Sequence, residues 1–352
     1  MAQWGFGIIG CGDVAERHVE AIGQIEDAKL VAVSSRTESR ARALAEREGC
    51  EWVTDYRDLL SREDIDIVCV TTSSGSHASV GLDVLNAGKH LIVEKPMAMS
   101  AREARQMMDT ARERGVVLSS IAQRRFEANN QLIKRVLDAG AIGRLLLAEM
   151  TLPFYRSQAY YDSAEWRGTV AEDGGALMNQ GIHGLDLMLW FAGDARTVFG
   201  KTATLTHRME AEDLGLAILQ FESGAYGTVM ASTSIQPGYP ATIALYGEQG
   251  AIKLEGSSIV RWSVPGWEQP NWAQEQSYGG VTDPKSIVAE FHQSQFLDVI
   301  AAIETGTEPL SSGEDGWRAV RLVEAIYESA SRRAEIVIGE DPEGDREGGR
   351  AE

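Results

Sequence analysis

Apolar residues in the first third of the chain fall into two alternating rhythms. Phe6 to Ile9 is a short apolar run stopped by Gly10-Cys11-Gly12, and Val14 to Ile22 then repeats its apolar positions at helical spacing. A strand is expected over Lys29 to Ser34, then a helix over Glu38 to Glu48 that ends at Gly49. Ile65 to Thr71 is nearly continuously apolar, as a parallel strand covered on both faces should be, and His77 to Ala87 follows as a helix stopped by Gly88. His90 to Val93 reads as the next strand. Ser100 and Glu103 have the spacing of a capping box for a helix running to Arg114, and Val116 to Ala122 closes the set. Strands alternating with helices imply a parallel, doubly wound sheet with right-handed crossovers, and residues 1–122 form the first expected domain.

After one further helix, about Glu127 to Asp138, the rhythm changes. Arg144 to Leu152, Thr197 to Thr206, Leu214 to Phe221, Ala225 to Ser234, Thr242 to Tyr246 and Ala251 to Glu255 read as successive strands. Turns such as Glu222-Ser223-Gly224 and Gly247-Glu248-Gln249-Gly250 are hairpin signals, so residues 123–338 are expected to form an α+β domain with a large, mostly antiparallel sheet. Helices over about Ser286 to Glu304 and Gly313 to Arg333 are expected to cover one face of that sheet. The Gly- and acid-rich tail, 339–352, has little to bury and is expected to be disordered.

Composition narrows the class. The chain has 352 residues, of which 43% are hydrophobic and 24% charged, values ordinary for a globular protein of two domains. The formal net charge of -19 repels phosphate backbones and anionic lipid, so neither nucleic acid nor a membrane surface is an expected partner. Cys11, Cys50 and Cys69 are odd in number and widely spaced, which suggests neither a disulfide framework nor a metal site. With no secretory leader or membrane-spanning run, a cytoplasmic location is expected.

Three segments carry chemistry. Gly10, Gly12 and Ala15 form G-x-G-x-x-A between the first strand and the first helix, the dinucleotide-binding turn of a Rossmann fold: the glycines allow the turn and a close pyrophosphate, and the helix start supplies N–H donors. Asp13 and Val14 belong to the same turn, and Thr72, His77, Glu94 and Lys95 follow the later strands on the side where such sheets bind their cofactor. The second strand ends in Ser34-Ser35-Arg36-Thr37 with Arg40 a turn further on. Ser35, Arg36 and Arg40 suit a 2′-phosphate that a carboxylate would repel, so NADP(H) is expected over NAD(H), with NAD(H) as the alternative. Arg36 and Arg40 would otherwise be a solvated helix face.

The second segment is Glu94-Lys95-Pro96, where Pro96 fixes the turn and holds Lys95 extended. The third runs from Gly174 to Asp186. On a helix Asn179 and His183 would share a face, with Asp186 beside His183, and a histidine there can exchange the proton of a substrate hydroxyl. Between these segments, Phe154-Tyr155-Arg156-Ser157 and Tyr160-Tyr161 through Trp166-Arg167-Gly168-Thr169 combine aromatic faces with polar groups, a mixture that suits a carbohydrate or an ordered loop equally well.

Together, Gly10-Cys11-Gly12, Glu94-Lys95-Pro96, Gln123-Arg124-Arg125-Phe126 and the Gly174 to Asp186 segment resemble the Gfo/Idh/MocA family of oxidoreductases over nearly the whole chain. The resemblance implies Lys95 and His183 as a catalytic pair, Arg124, Arg156, Asn179 and His183 against a sugar-like substrate, and a dimer or tetramer built through the second sheet. It also implies a cis Lys95-Pro96 bond. One departure stands out: the family often has Asp where this chain has Asn179, which cannot act as a base. The implied reaction is hydride transfer between a nicotinamide and a secondary alcohol or ketone of a sugar, polyol or sugar derivative. Two other uses remain open at this point. A dinucleotide sensor or corepressor would bind cofactor without turnover, and a cofactor-recycling glycosidase or lyase would cleave a glycoside with no net change in nicotinamide.

Overall fold

The computed structural model describes residues 3–270 and 289–339. The expected disordered tail beyond Gly339 and the first residues of the helix expected from Ser286 lie outside the described residues.

The first sheet has six parallel strands: β1 (Trp4–Ile9), β2 (Ala28–Ser34), β3 (Glu51–Val53), β4 (Ile67–Val70), β5 (His90–Val93) and β6 (Leu118–Ser120). Their order is β3-β2-β1-β4-β5-β6, so the chain reverses its direction of progress between β1 and β4. In open α/β sheets, ligands bind at the carboxyl ends of the strands beside such a reversal. The crossovers are α1 (Ala15–Gly23), α2 (Glu38–Glu48), α3 (Tyr56–Leu60), α4 (His77–Asn86) and α5 (Ala101–Arg114). All four residues of β4 are buried, as a parallel strand covered by helices on both faces must be. Three residues of β3 and five of α3 were too short to announce themselves by periodicity.

A turn at Gln123–Phe126 and α6 (Ala128–Asp138) lead into the second sheet. Its eight strands are β7 (Leu145–Pro153), β8 (Ala195–Ala203), β9 (Leu214–Phe221), β10 (Tyr226–Ser232), β11 (Thr242–Gly247), β12 (Ala251–Glu255), β13 (Ser258–Ser263) and β14 (Ile336–Val337), in the order β13-β12-β11-β7-β10-β9-β8-β14. Every pairing is antiparallel except β7 with β10. Between β7 and β8 lie α7 (Gln158–Tyr161), a π-helical turn at Ala176–Gly181, and α8 (Ile182–Ala192). Helix α8 is apolar nearly all round because it is buried in the core that also takes the inward residues of β9 and β10.

The last two helices are α9 (Glu290–Thr305) and α10 (Gly313–Arg332). Only α10 packs on the second sheet, against β8, with α5 on its other flank. The expectation that both helices cover that sheet is corrected here: α9 returns to the first sheet and packs on α1. Phe296 stacks on Phe6 at 5.9 Å between ring centroids, and a fully buried ring of this kind contributes about 3 to 5 kcal/mol relative to alanine. An amphipathic helix shows that one face is covered and does not say by which sheet. Among the described residues, no helix is long and apolar enough to cross a membrane.

Candidate functional site

The turn after β1 is shaped by two glycines with different tasks. Gly10 has φ +108°, and a Cβ there would lie 2.7 Å from the Thr71 backbone, so the residue is set by the chain's own packing. Thr71 completes the fit by donating its hydroxyl to Gly10 O at 2.8 Å. A Cβ on Gly12, by contrast, would meet nothing within 4 Å. The protein's own packing does not require a glycine there, and the space beside it is open. Val14, just before α1, is exposed, while Ala15 is buried beneath the turn, and Asp13 lies on the exposed side. At the end of β2, Ser35 Oγ accepts from Thr37 N at 3.2 Å, and Arg36 and Arg40 are exposed.

The ends of β4 and β5 are tied together by His77, whose Nδ1 lies 2.7 Å from Pro96 O and Nε2 3.1 Å from Thr72 O. His77 is buried, so it braces the two strand ends rather than lining an open surface. The Lys95-Pro96 bond is cis. Glu94 turns into the interior: Oε1 lies 3.0 Å from His18 Nε2 and 4.0 Å from His292 Nε2, and Oε2 accepts from Lys95 N at 3.1 Å. Burial would push its carboxyl up, but His18, His292 and Lys95 hold it well below the usual carboxylate range. Sequence reading missed this buried histidine pair, since His18 on α1 and His292 on α9 are far apart in sequence and meet only when α9 docks.

Lys95 projects the other way, toward the turn that precedes α8. Its Nζ donates to Asn179 O at 2.9 Å and to Asn179 Oδ1 at 3.4 Å. Burial lowers the Lys95 ammonium's pKa, Glu94 and Asp173 raise it, and Arg156 and Arg167 lower it again. Asn179 lies within the π-helical turn and His183 in the first turn of α8, so the pair does not sit on one α-helix as expected. Such wider turns commonly occur where function displaces a helix from its regular register. Burial, reinforced by the Lys95 cation, pushes His183 down to about 3, so its imidazole is neutral at any ordinary pH. A cavity borders both Lys95 and His183, walled also by Met97, Ser120, Ala122 and Ile182.

Asp186 is not beside His183 in function. Arg125 takes both its oxygens, at 3.0 and 2.7 Å, and also reaches Leu310 O at 2.9 Å and Asp315 Oδ1 at 3.1 Å. Arg124, the neighbour in sequence, donates to Glu127 and to Gly256 O, and its charge is felt at His183. Arg156 is buried with Nη2 on Gln180 Oε1 at 2.9 Å and its guanidinium over Phe154 and Tyr160. Arg167 stacks on Tyr160 and Trp166 and donates to the Tyr160 hydroxyl at 2.6 Å. The aromatic stretch is therefore divided: Tyr161 is packed away with its hydroxyl on Thr233, while Tyr160 links the two arginines that flank Lys95.

Residues 4–121 match the model of the oxidoreductase family with an NAD-binding Rossmann fold, and residues 130–253 match the GFO/IDH/MocA C-terminal domain. The chain belongs to the GFO/IDH/MocA family of oxidoreductases. It is 33% identical to the dTDP-3,4-didehydro-2,6-dideoxy-alpha-D-glucose 3-reductase of Streptomyces violaceoruber over 75% of each chain. It is 26% identical to the inositol 2-dehydrogenase of Rhizobium meliloti over 95% of this chain and 98% of that one. Among solved structures, the WlbA dehydrogenase of Bordetella pertussis in complex with NADH and UDP-GlcNAcA superposes with a TM-score of 0.85 at 30% identity, covering 96% of this chain and all of that one.

Gly12→Ala separates the two glycines' tasks. With open space around the new methyl group, thermal unfolding of the free protein should stay within the roughly ±0.5 kcal/mol of a surface change. Nicotinamide cofactor binding, followed by tryptophan quenching, should weaken at least tenfold; unaltered binding would mean that no pyrophosphate lies against this residue.

Proposed function

We propose that this GFO/IDH/MocA oxidoreductase interconverts a secondary alcohol and the corresponding ketone on a sugar, polyol or sugar derivative, with NADP(H) preferred and NAD(H) accepted. The observation that carries the reading is the Lys95 ammonium held 2.9 Å from the carbonyl of Asn179, four residues before a neutral His183, at the carboxyl edge of the first sheet. The names of the relatives, a deoxysugar reductase and inositol dehydrogenases, support the substrate class.

The cofactor fits the residues present. Backbone at Gly10 to Gly12 and the start of α1 would cradle the pyrophosphate, and the exposed Val14 offers an apolar contact beside it. Bound there, the nicotinamide ring supplies the carbon that takes or gives the hydride. The chain's own residues manage the proton and the charge. In the oxidation direction, neutral His183 accepts the hydroxyl proton, and Lys95 donates a hydrogen bond to the oxygen as its negative charge grows. An ammonium has three N–H groups; two are directed at Asn179, which leaves one for that oxygen. In the reverse direction the same proton returns from His183. His183→Asn should therefore lower kcat about a hundredfold or more while leaving cofactor affinity unchanged, and an unaltered kcat would remove His183 from the reaction.

The 2′ end of the cofactor is read from Ser35, Arg36 and Arg40. No carboxylate stands in Ser34 to Thr37 to repel a phosphate, and both guanidinium groups are exposed. The WlbA structure holds NADH, so the preference depends on this chain's own residues. NADPH is expected to bind more tightly than NADH in parallel fluorescence titrations, and Arg36→Ala should cost NADPH about tenfold, the worth of a charged hydrogen bond, with NADH unaffected. Tighter NADH binding by the unaltered chain would reverse the assignment.

A second copy of the chain is the proposed partner for the outer face of the second sheet. Phe199, Leu216, Ile218 and Tyr226 project outward from adjacent strands, with Ile218 57% exposed. An apolar group of this kind on a sheet marks a protein contact. Light scattering should give a dimer or tetramer that Ile218→Arg dissociates; a monomeric unaltered chain would refute the contact.

A further inference from the structure

Asp173 stands outside every motif that points to the reaction, yet it is 1% exposed and sits beside the reacting groups. Its Oδ2 accepts from Gly168 N at 2.7 Å, and its Oδ1 accepts from the Asn179 carboxamide nitrogen. The carboxamide oxygen of the same Asn179 faces Lys95 Nζ. We propose that Asp173 is a positioning residue that acts through Asn179, a buried carboxylate that keeps the Lys95 ammonium charged and aimed at the substrate oxygen. The inference rests on Lys95 being the group that meets that oxygen.

Burial is the largest influence on Asp173 and pushes its carboxyl up; working against it, the donors Gly168 N–H and Asn179 Nδ2–H and the cations Arg167 and Lys95 favour the carboxylate. A carboxamide with its NH2 on a carboxylate has its oxygen made more negative, so the two hydrogen bonds reinforce each other. The orientation is also fixed: with the Asn179 nitrogen on Asp173, its oxygen must face Lys95 and Gln180 Nε2, which donates to it at 3.0 Å. The side chain at position 179 is neutral, and the negative charge lies one hydrogen bond further out.

The charges that act on Lys95 come from several elements: Glu94 lies at the end of its own strand, Asp173 and Arg167 in the segment before the π-helical turn, and Arg156 after β7, while the titratable His183 on α8 is neutral. Burial and the two arginines favour loss of the Lys95 proton, and the two carboxylates oppose it. Glu94 is already engaged by His18. Removal of Asp173 therefore leaves Lys95 with two nearby arginines and one shared carboxylate, and it should deprotonate at lower pH.

The test needs no substrate. The rate at which fluorodinitrobenzene labels Lys95 in the intact protein, read by peptide mass spectrometry across a pH series, follows the fraction of free amine. In Asp173→Asn the midpoint should fall by about one pH unit, the lower end expected when one close opposite charge is removed. The double variant Asp173→Asn/Asn179→Asp, which returns a carboxylate one position nearer, should restore it. A midpoint that does not move in Asp173→Asn overturns the proposal, as does a double variant that behaves like the single one. Should Asp173→Asn fail to fold, Asp173→Ser keeps an acceptor for Gly168 N–H and carries the same readout. With the alcohol identified by screening, the alkaline limb of kcat/KM should shift in parallel. Because the labelling does not depend on turnover, failure of the proposed activity and failure of this inference remain distinguishable.

Discussion

The proposed chemistry depends on keeping one ammonium, that of Lys95, charged where burial works to remove its proton. Lys95 leaves the first sheet at the point where the second half of the chain closes over it, and an amine in such a place sheds its proton unless nearby charge or hydrogen bonds hold it. Several local features answer that one requirement. Glu94 is turned inward and fixed by His18, with its second oxygen on the Lys95 backbone, so that a full negative charge sits immediately behind the lysine. The π-helical turn presents both the carbonyl and the side chain of Asn179 to Nζ. His77 pins the Pro96 carbonyl to Thr72, which fixes where the lysine leaves the strand.

These arrangements have value only if the two sheets keep a constant relation, and the polar contacts across the junction are placed to ensure it. Arg125 joins the turn after β6 to Asp186 on α8 and Asp315 at the start of α10. Gln295 on α9 donates to Ser120 O and accepts from Ala122 N, so the helix that supplies His292 is also hydrogen-bonded to the end of the first sheet. A buried ion pair of the Arg125 type adds little net stability against an apolar substitute, but leaving one member alone costs about 3 to 5 kcal/mol. Its contribution is directional: a bidentate guanidinium accepts one placement of α8, and α8 carries His183.

The sequence made the architecture legible because both periodicities were strong. The alternation of apolar strands with capped helices from Phe6 to Ala122 gave the parallel sheet, and the hairpin turns at Ser223-Gly224 and Gln249-Gly250 gave the second one. The Gly-rich turn, Lys95 and His183 were likewise readable, since each sits at a strand end or helix start that chemistry restricts to a few residue types. What escaped was long-range. The docking of α9 on the first sheet rests on Phe296 meeting Phe6, a contact across 290 positions that no local pattern encodes. Asp186 was legible as the neighbour of His183 at i, i+3, but a stronger partner, Arg125, claims it. Asp173 carried no signal except its place just before the two glycines that open the π-helical turn.

In the proposed reaction, the charge balance around Lys95 would let a histidine with so low a pKa serve as the proton acceptor. The free protein holds His183 neutral because burial and the Lys95 cation both oppose a second positive charge. On that proposal, negative charge developing on the substrate oxygen would compensate Lys95 as His183 becomes cationic, so the imidazolium would be favoured only while the oxygen is negative. Glu94 reinforces this by raising the His183 pKa, whereas Arg124 and His292 restrain it. A carboxylate hydrogen-bonded directly to His183 would remove the coupling by stabilising the imidazolium before any alcohol had begun to react. Asp186, three residues beyond His183, is held by Arg125, and Asp173 is held by Asn179.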